Sequence, residues 1–278
     1  MRRCFIGVLL AMFMTVALNV IPVVASSTSY IVQNGVKLDR PGTNQTEGHI
    51  KISGNTTKDK IKLLVIGADK QTWYEVEVID GEFDEEIWFD SQGEYTIRVM
   101  VNEYDRKYSN GPSITVKNTE ELDKYLIPAK HIESNEDIII DAAKEITKNC
   151  SSDLEKVRAI YDWVVDNIEY DYEKLSKHDR GQYDNQYGAL NALNTRIGVC
   201  YDYSTLAAAL ARSLGIQAKV VEGDLDKGML KGFHAWNEIF ISELDNWINI
   251  DTTLGATTGE DYFDFADNDE SYLAYEYK

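Results

Sequence analysis

Cysteine is scarce in this chain, with three in 278 residues, at positions 4, 150 and 200. So few exclude a disulfide-stapled scaffold, although Cys150 and Cys200 could still pair with each other. Basic residues are also in short supply, 28 Lys and Arg against 47 Asp and Glu, for a formal net charge of −19. A field of that sign repels phosphate backbones and anionic surfaces, which sets aside nucleic acid and polyanionic polymers as partners. Long apolar runs are limited to one, from Phe5 to Val24, and no second candidate span follows it.

That run follows Arg2 and Arg3 and ends in Val23-Val24-Ala25, the pattern of a secretory signal over residues 1–25 with cleavage after Ala25. Its length is about that of a bilayer span, so a retained anchor is the alternative. The small Ala25 followed by Ser26-Ser27-Thr28-Ser29 favours removal. A lipoprotein would need a cysteine just past the run, whereas Cys4 precedes it. The expectation is a secreted, extracellular protein without stable membrane insertion. Loss of Arg2 and Arg3 would take its net charge from −19 to −21. The remaining length, about 250 residues, suits two domains, each with its own core.

Residues 26–45 are expected to be a linker. From 46 to 118 apolar residues alternate at a period of two: Ile50 and Ile52; Ile61, Leu63 and Val65; Val76 and Val78; Tyr95, Ile97, Val99 and Val101; Ile114 and Val116. Turn residues such as Asp80-Gly81 and Asn110-Gly111-Pro112 separate these runs. Short strands at that spacing predict an all-β immunoglobulin-like sandwich, here without the inter-sheet disulfide because it holds no cysteine.

After Asn118 the period changes, and residues 119–278 read as one α+β domain. Ser134 with Asp137 predicts a capped amphipathic helix carrying Ile138, Ile139, Ala142 and Ile146. Ser152 with Glu155 predicts a second, burying Val157, Ile160, Tyr161, Val164 and Ile168. Asp171 to Gln186 is polar and reads as an exposed loop, followed by a short helix with Ala189, Leu190 and Leu193. A helix starting at Cys200 carries Leu206, Leu210 and Leu214 among alanines and ends at Gly215. Strands are predicted at 217–222, 233–241 and 247–251, the last two joined by the polar turn 242–246.

A thiol becomes a nucleophile when its thiolate is stabilised, and the unpaired N–H groups at a helix start do this. Cys200 stands at such a point, with Gly198 available for the tight backbone turn that the approach to a helix needs. His234 opens the strand Phe233-His234-Ala235-Trp236-Asn237-Glu238, and Asp251 closes the next, Trp247-Ile248-Asn249-Ile250-Asp251. Antiparallel strands joined by a short turn place the start of one beside the end of the other. His234 and Asp251 are therefore neighbours, and a carboxylate there would orient the imidazole toward Cys200. Alone, His234 would read as a satisfied core histidine; its two partners make it a candidate base. His49, His131 and His178 lie in polar stretches and read as solvated. Zinc ligation by Cys200, His234 and Asp251 suits their spacing poorly, no calcium loop is recognisable in the acidic 261–270 tail, and no cofactor is expected.

The blocks Arg196-Ile197-Gly198-Val199-Cys200-Tyr201-Asp202-Tyr203-Ser204, His234-Ala235-Trp236-Asn237-Glu238 and Trp247-Ile248-Asn249-Ile250-Asp251-Thr252-Thr253 together resemble the transglutaminase-like superfamily, in its secreted bacterial type. The resemblance spans residues 118–264. It implies a papain-like α+β core in which Cys200 is the nucleophile, His234 the general base and acid, and Asp251 the orienting carboxylate. Thr252 departs from the proline common in the Asp block. The family also draws an oxyanion stabiliser from upstream of the nucleophile, for which Gln186, Tyr187 and Asn191 are candidates. The implied activity is acyl transfer on protein or peptide amides, ending in hydrolysis or in transfer to an amine, with cell-surface proteins among the candidate substrates. A second reading keeps the fold and discards catalysis, leaving an extracellular binding or adhesion protein.

Overall fold

The computed structural model describes residues 29–182, 186–227, 230–266 and 269–278. The signal expected over residues 1–25, its polar flank through Thr28, and the end of the predicted loop at 183–185 lie outside them. Strands come first: β1 (Tyr30–Gln33), β2 (Val36–Asp39), β3 (Gln45–Thr46), β4 (His49–Thr56), β5 (Ile61–Ile66), β6 (Gln71–Val76), β7 (Glu82–Trp88), β8 (Gly93–Tyr104) and β9 (Lys107–Asn118). They form one sheet in the order β1-β2-β4-β7 and a second in the order β3-β9-β8-β5-β6.

The two sheets share one core. Val36, Leu38, Ile50, Ile52, Phe83 and Ile87 from the first meet Ile61, Leu63, Ile97, Val99, Val101 and Val116 from the second. Alternation along β4, where Ile50 and Ile52 are buried and His49 and Lys51 exposed, is the period-two pattern seen in the sequence. One expectation is corrected. The stretch read as a linker contains the hairpin β1–β2, and β2 pairs with β4 from Val36↔Thr56 to Leu38↔Gly54. Its four-residue strands are too short for alternation to register. Asn118 closes the β half: its carboxamide oxygen accepts from Gly48 N at 2.7 Å and its amide donates to Ser91 O at 2.8 Å.

The second half continues with α1 (Asp137–Ile146), α2 (Asp153–Asn167), β10 (Glu169–Tyr170), α3 (Tyr172–Asp179), α4 (Ala189–Thr195), β11 (Ile197–Gly198) and α5 (Cys200–Ser213). Then follow β12 (Ala218–Lys227), β13 (Leu230–Ile241), β14 (Asn246–Ile250), α6 (Thr252–Thr258), β15 (Phe263–Phe265) and β16 (Tyr272–Tyr277). The last five strands make one sheet in the order β15-β14-β13-β12-β16. Ile239, Ile241, Ile248 and Ile250 of that sheet share a core with Leu206 and Leu210 of α5 and with Val157, Ile160 and Val164 of α2.

Helix α2 starts as its sequence predicts, with Ser152 accepting from Glu155 N at 3.2 Å. Helix α1 does not: its N-cap is Glu136, no side chain caps it, and Ser134 is buried ahead of it. The buried face of α1 is Ile139 and Ala143, while Ile138 points outward. Gly215, at φ +76°, follows the end of α5 in the left-handed conformation expected of it. Two further corrections bear on the site. Asp171 to Gln186 includes helix α3, capped by the Asp171 carboxylate on Lys174 N at 2.8 Å. The acidic stretch 261–270, expected to be a solvated tail, contains β15, which pairs with β14, and leads into β16, which pairs with β12.

Candidate active site

Cys200 is the first residue of α5 and is buried. The N–H groups of a first helical turn have no acceptor within the helix, so the sulfur lies at the positive end of fourteen aligned peptide units. Gly198 contributes in a way that differs from expectation. It has no positive φ; a Cβ there would stand 2.5 Å from the Cβ of Asp202, so the glycine permits contact between β11 and the first turn of α5.

His234 lies on β13, on the face shared by Trp236. The β13–β14 ladder ends at Asn237↔Ile250, so Asp251 comes next opposite Trp236 and reaches His234 along the diagonal. His234 Nε2 and Asp251 Oδ2 are 2.7 Å apart, and both side chains are almost completely buried. With Nε2 so engaged, the other ring nitrogen is left for Cys200, which lies near enough to favour the protonated ring. Burial opposes the imidazolium, yet the charge and hydrogen bond of Asp251, with Cys200 on the other side, outweigh it and push the His234 pKa up to about 10.

Asp251 is held by more than the histidine. It caps α6, its Oδ1 accepting from Leu254 N at 2.9 Å, and Tyr272 Oη donates to its Oδ2 at 2.9 Å. Burial, then the nearby Asp251 charge, raises the Tyr272 phenol well above its ordinary range, so it remains a donor. The Trp236 ring lies parallel to the imidazole at 6.3 Å and meets Tyr272 edge-on at 5.0 Å. Trp236 is thus a wall of the site, and with Trp247 it also lines a surface cleft of about 320 Å³. Tyr170 of β10 packs against the rings of Tyr172 and Tyr203; burial and then the nearby Cys200 raise its phenol.

Other expectations fare unevenly. Cys150 and Cys200 are both free thiols, which discards their pairing. His131, expected to be solvated, is half-buried between the rings of Tyr187 and Tyr201, and its Nδ1 lies 3.2 Å from Tyr201 Oη. Burial, then Lys130 and Lys278, push its pKa down to about 4. His178 is also partly buried and pairs with the Tyr187 hydroxyl, whereas His49 is exposed and stacks on Trp88. Of the three oxyanion candidates, Gln186 accepts the Lys174 ammonium on its carbonyl. Tyr187 packs its ring 4.0 Å from that ammonium, and Asn191 sits on α4 with its carbonyl accepting from Thr195 Oγ1.

The sequence reading missed Tyr272, Lys174 and Asp202. Tyr272 follows the acidic tail and reaches Asp251 only through the pairing of β16 with β12. Asp202 stands inside the block that carries Cys200, and its spacing from Val199 is that of a first-turn acid. That was the one available signal for it.

Residues 140–252 match the sequence model of the transglutaminase-like superfamily. They form a transglutaminase-like core domain. The match runs from within α1 to the residue after Asp251, so it contains Cys200, His234 and Asp251 and excludes the β sandwich. Among curated proteins, the chain is similar to kyphoscoliosis peptidase of Homo sapiens, 26% identical over 166 residues, 55% of this chain and 23% of that protein. The Mus musculus protein is 29% identical over 129 residues, 42% and 18% of the two chains. The chain therefore spans less than a quarter of either relative. Among solved structures it is similar to red sea bream transglutaminase, 12% identical over 79% of this chain and 50% of that one, with a TM-score of 0.37.

Proposed function

We propose that this chain is an exported cysteine acyl-transfer enzyme acting on protein or peptide amides through Cys200, His234 and Asp251. The observation that carries the reading is the buried Asp251 Oδ2–His234 Nε2 contact at 2.7 Å, with Cys200 at the start of a helix near enough to act on the same imidazole. The transglutaminase-like core and the peptidase names of the curated relatives support the same chemistry. Export rests on the signal-like residues 1–25.

In this mechanism the Cys200 sulfur attacks the amide carbonyl, and the oxyanion that forms faces N–H groups at the start of α5. His234 gives its proton to the departing nitrogen, the C–N bond breaks, and a thioester remains. Water or a primary amine then attacks the thioester while His234 takes a proton from it. The C–S bond breaks, releasing an acid or a new amide and restoring the thiolate–imidazolium pair.

The test is incubation with a fluorescent primary amine and a glutamine-bearing protein. Incorporation abolished by Cys200→Ala identifies transfer; ammonia or new peptide termini without incorporation identify hydrolysis. Either activity is expected to fall about 1000-fold or more in the variant. Absence of all three products over a range of protein substrates would favour the binding-protein reading.

A further inference from the structure

Asp202 and Lys174 are buried ionisable groups that the mechanism above does not use. Asp202 is fully buried and Lys174 is only 5% exposed. The Asp202 carboxylate gathers three donors: Gly188 N at 2.8 Å on Oδ1, and Val199 N and Lys174 Nζ, each at 2.9 Å, on Oδ2. Val199 is the residue just before Cys200, so this carboxylate fixes the peptide that leads into the nucleophile. Lys174 in turn donates to Gln186 O and lies against the Tyr187 ring.

The strand pair beside it ties the same parts together. Glu169↔Ile197 and Tyr170↔Gly198 join β10 to β11, and Asp171 N donates to Gly198 O at 2.9 Å. Helix α3, the 186–188 turn and the approach to Cys200 thus converge on one carboxylate. A buried ion pair costs desolvation that its attraction offsets only in part, so such a pair is weak evidence of stabilisation as such. Its placement has a more specific consequence. A lone anion in the first turn of α5 would oppose a thiolate two residues away, and Lys174 neutralises it.

We propose that Lys174 and Asp202 are the positioning pair of the nucleophile: the carboxylate sets the backbone of Val199 and Cys200, and the ammonium keeps the positive end of α5 available to the sulfur. This rests on the triad reading given above. Charged and titratable groups near the sulfur include His234 from β13, Tyr170 from β10, Asp202 on its own helix, and Lys174 of α3 paired with Asp202.

The experiment follows iodoacetamide alkylation of Cys200 in the full chain from pH 4 to 10, with circular dichroism to verify folding. Lys174→Met leaves the Asp202 charge uncompensated and is expected to move the alkylation midpoint up by about one pH unit. Asp202→Asn removes that charge and is expected to move it down. The double variant should return toward wild type, and Lys174→Arg should stay there. If Lys174→Met fails to fold, the direction of the Asp202→Asn shift decides. Single variants that melt earlier but keep the wild-type midpoint would reduce the pair to a structural staple and overturn the proposal. His234→Ala separates the two readings. Unchanged alkylation in that variant sinks the triad and with it the pair's role, whereas a His234-dependent midpoint indifferent to Lys174 and Asp202 sinks the pair alone.

Discussion

Asp251 uses its two oxygens for different purposes, Oδ1 to cap α6 and Oδ2 to hold His234 and Tyr272. The cap fixes where the carboxylate stands, so its hold on the imidazole is not left to side-chain rotation. An imidazolium with a folded-state pKa of about 10, against an ordinary 6.5, contributes stability that is fully present below pH 6.5 and is lost as pH rises through 10. Asp251→Asn should abolish most of that dependence, so that melting temperatures at pH 6 and pH 10 converge relative to wild type. The same variant should lower kcat/KM by about 100-fold or more, because an amide neither holds the imidazolium nor selects its tautomer. Tyr272→Phe removes one donor to the carboxylate and should cost about tenfold. Equal activity of wild type and Asp251→Asn would remove Asp251 from the proposed mechanism.

Helix α5 holds Cys200 in a fixed place because it is enclosed on nearly every side. Leu206, Ala207, Ala208, Ala209, Leu210 and Ala211 have no exposed surface, and α1, α2, β12 and β13 all contact the helix. Alanine at these positions lets neighbours approach closely, so a longer side chain has nowhere to go. Ala208→Leu should destabilise by about 1–3 kcal/mol, read as a fall in denaturation midpoint at constant m-value. An unchanged midpoint would show that this face has room to spare. This element was legible in the sequence because its composition and its position after Gly198 are local facts. The Ser152 cap and the neighbourhood of His234 and Asp251 were legible for the same reason, one by a three-residue spacing and the other by a short turn. Helix α3 was not, because its residues are polar and what anchors it is the distant Asp202. Nor was the β1–β2 hairpin, too short to show a period, or β16, which follows an acidic stretch and is held by its partner β12.

At the scale of the whole chain, 47 acidic residues outnumber 28 basic ones, and the excess is felt where the two halves meet. They meet at a cleft of about 390 Å³ where Glu75, Asp84, Glu85 and Glu86 of the sandwich face Glu133 and Glu136, with Lys51 and Lys130 the cations in its lining. Asn135 spans the gap, donating to Glu86 Oε2 at 2.8 Å. Burial, and then Asp84, Glu136, Glu133 and Glu86, push the Glu85 pKa up to about 7. For a carboxyl whose folded pKa is raised, ionisation opposes folding. The group is neutral in both states below about pH 4.5, stability falls as pH rises from there to 7, and the whole penalty is present above 7. Glu85→Gln keeps the shape and removes the charge, so it should raise the melting temperature at pH 8 and change it little at pH 4. Thermal melts of the two proteins across that range test this directly. A gain of the same size at both pH values would mean that the carboxylate's charge is not what strains the junction, and no gain at pH 8 would mean that Lys51 and Lys130 already compensate it.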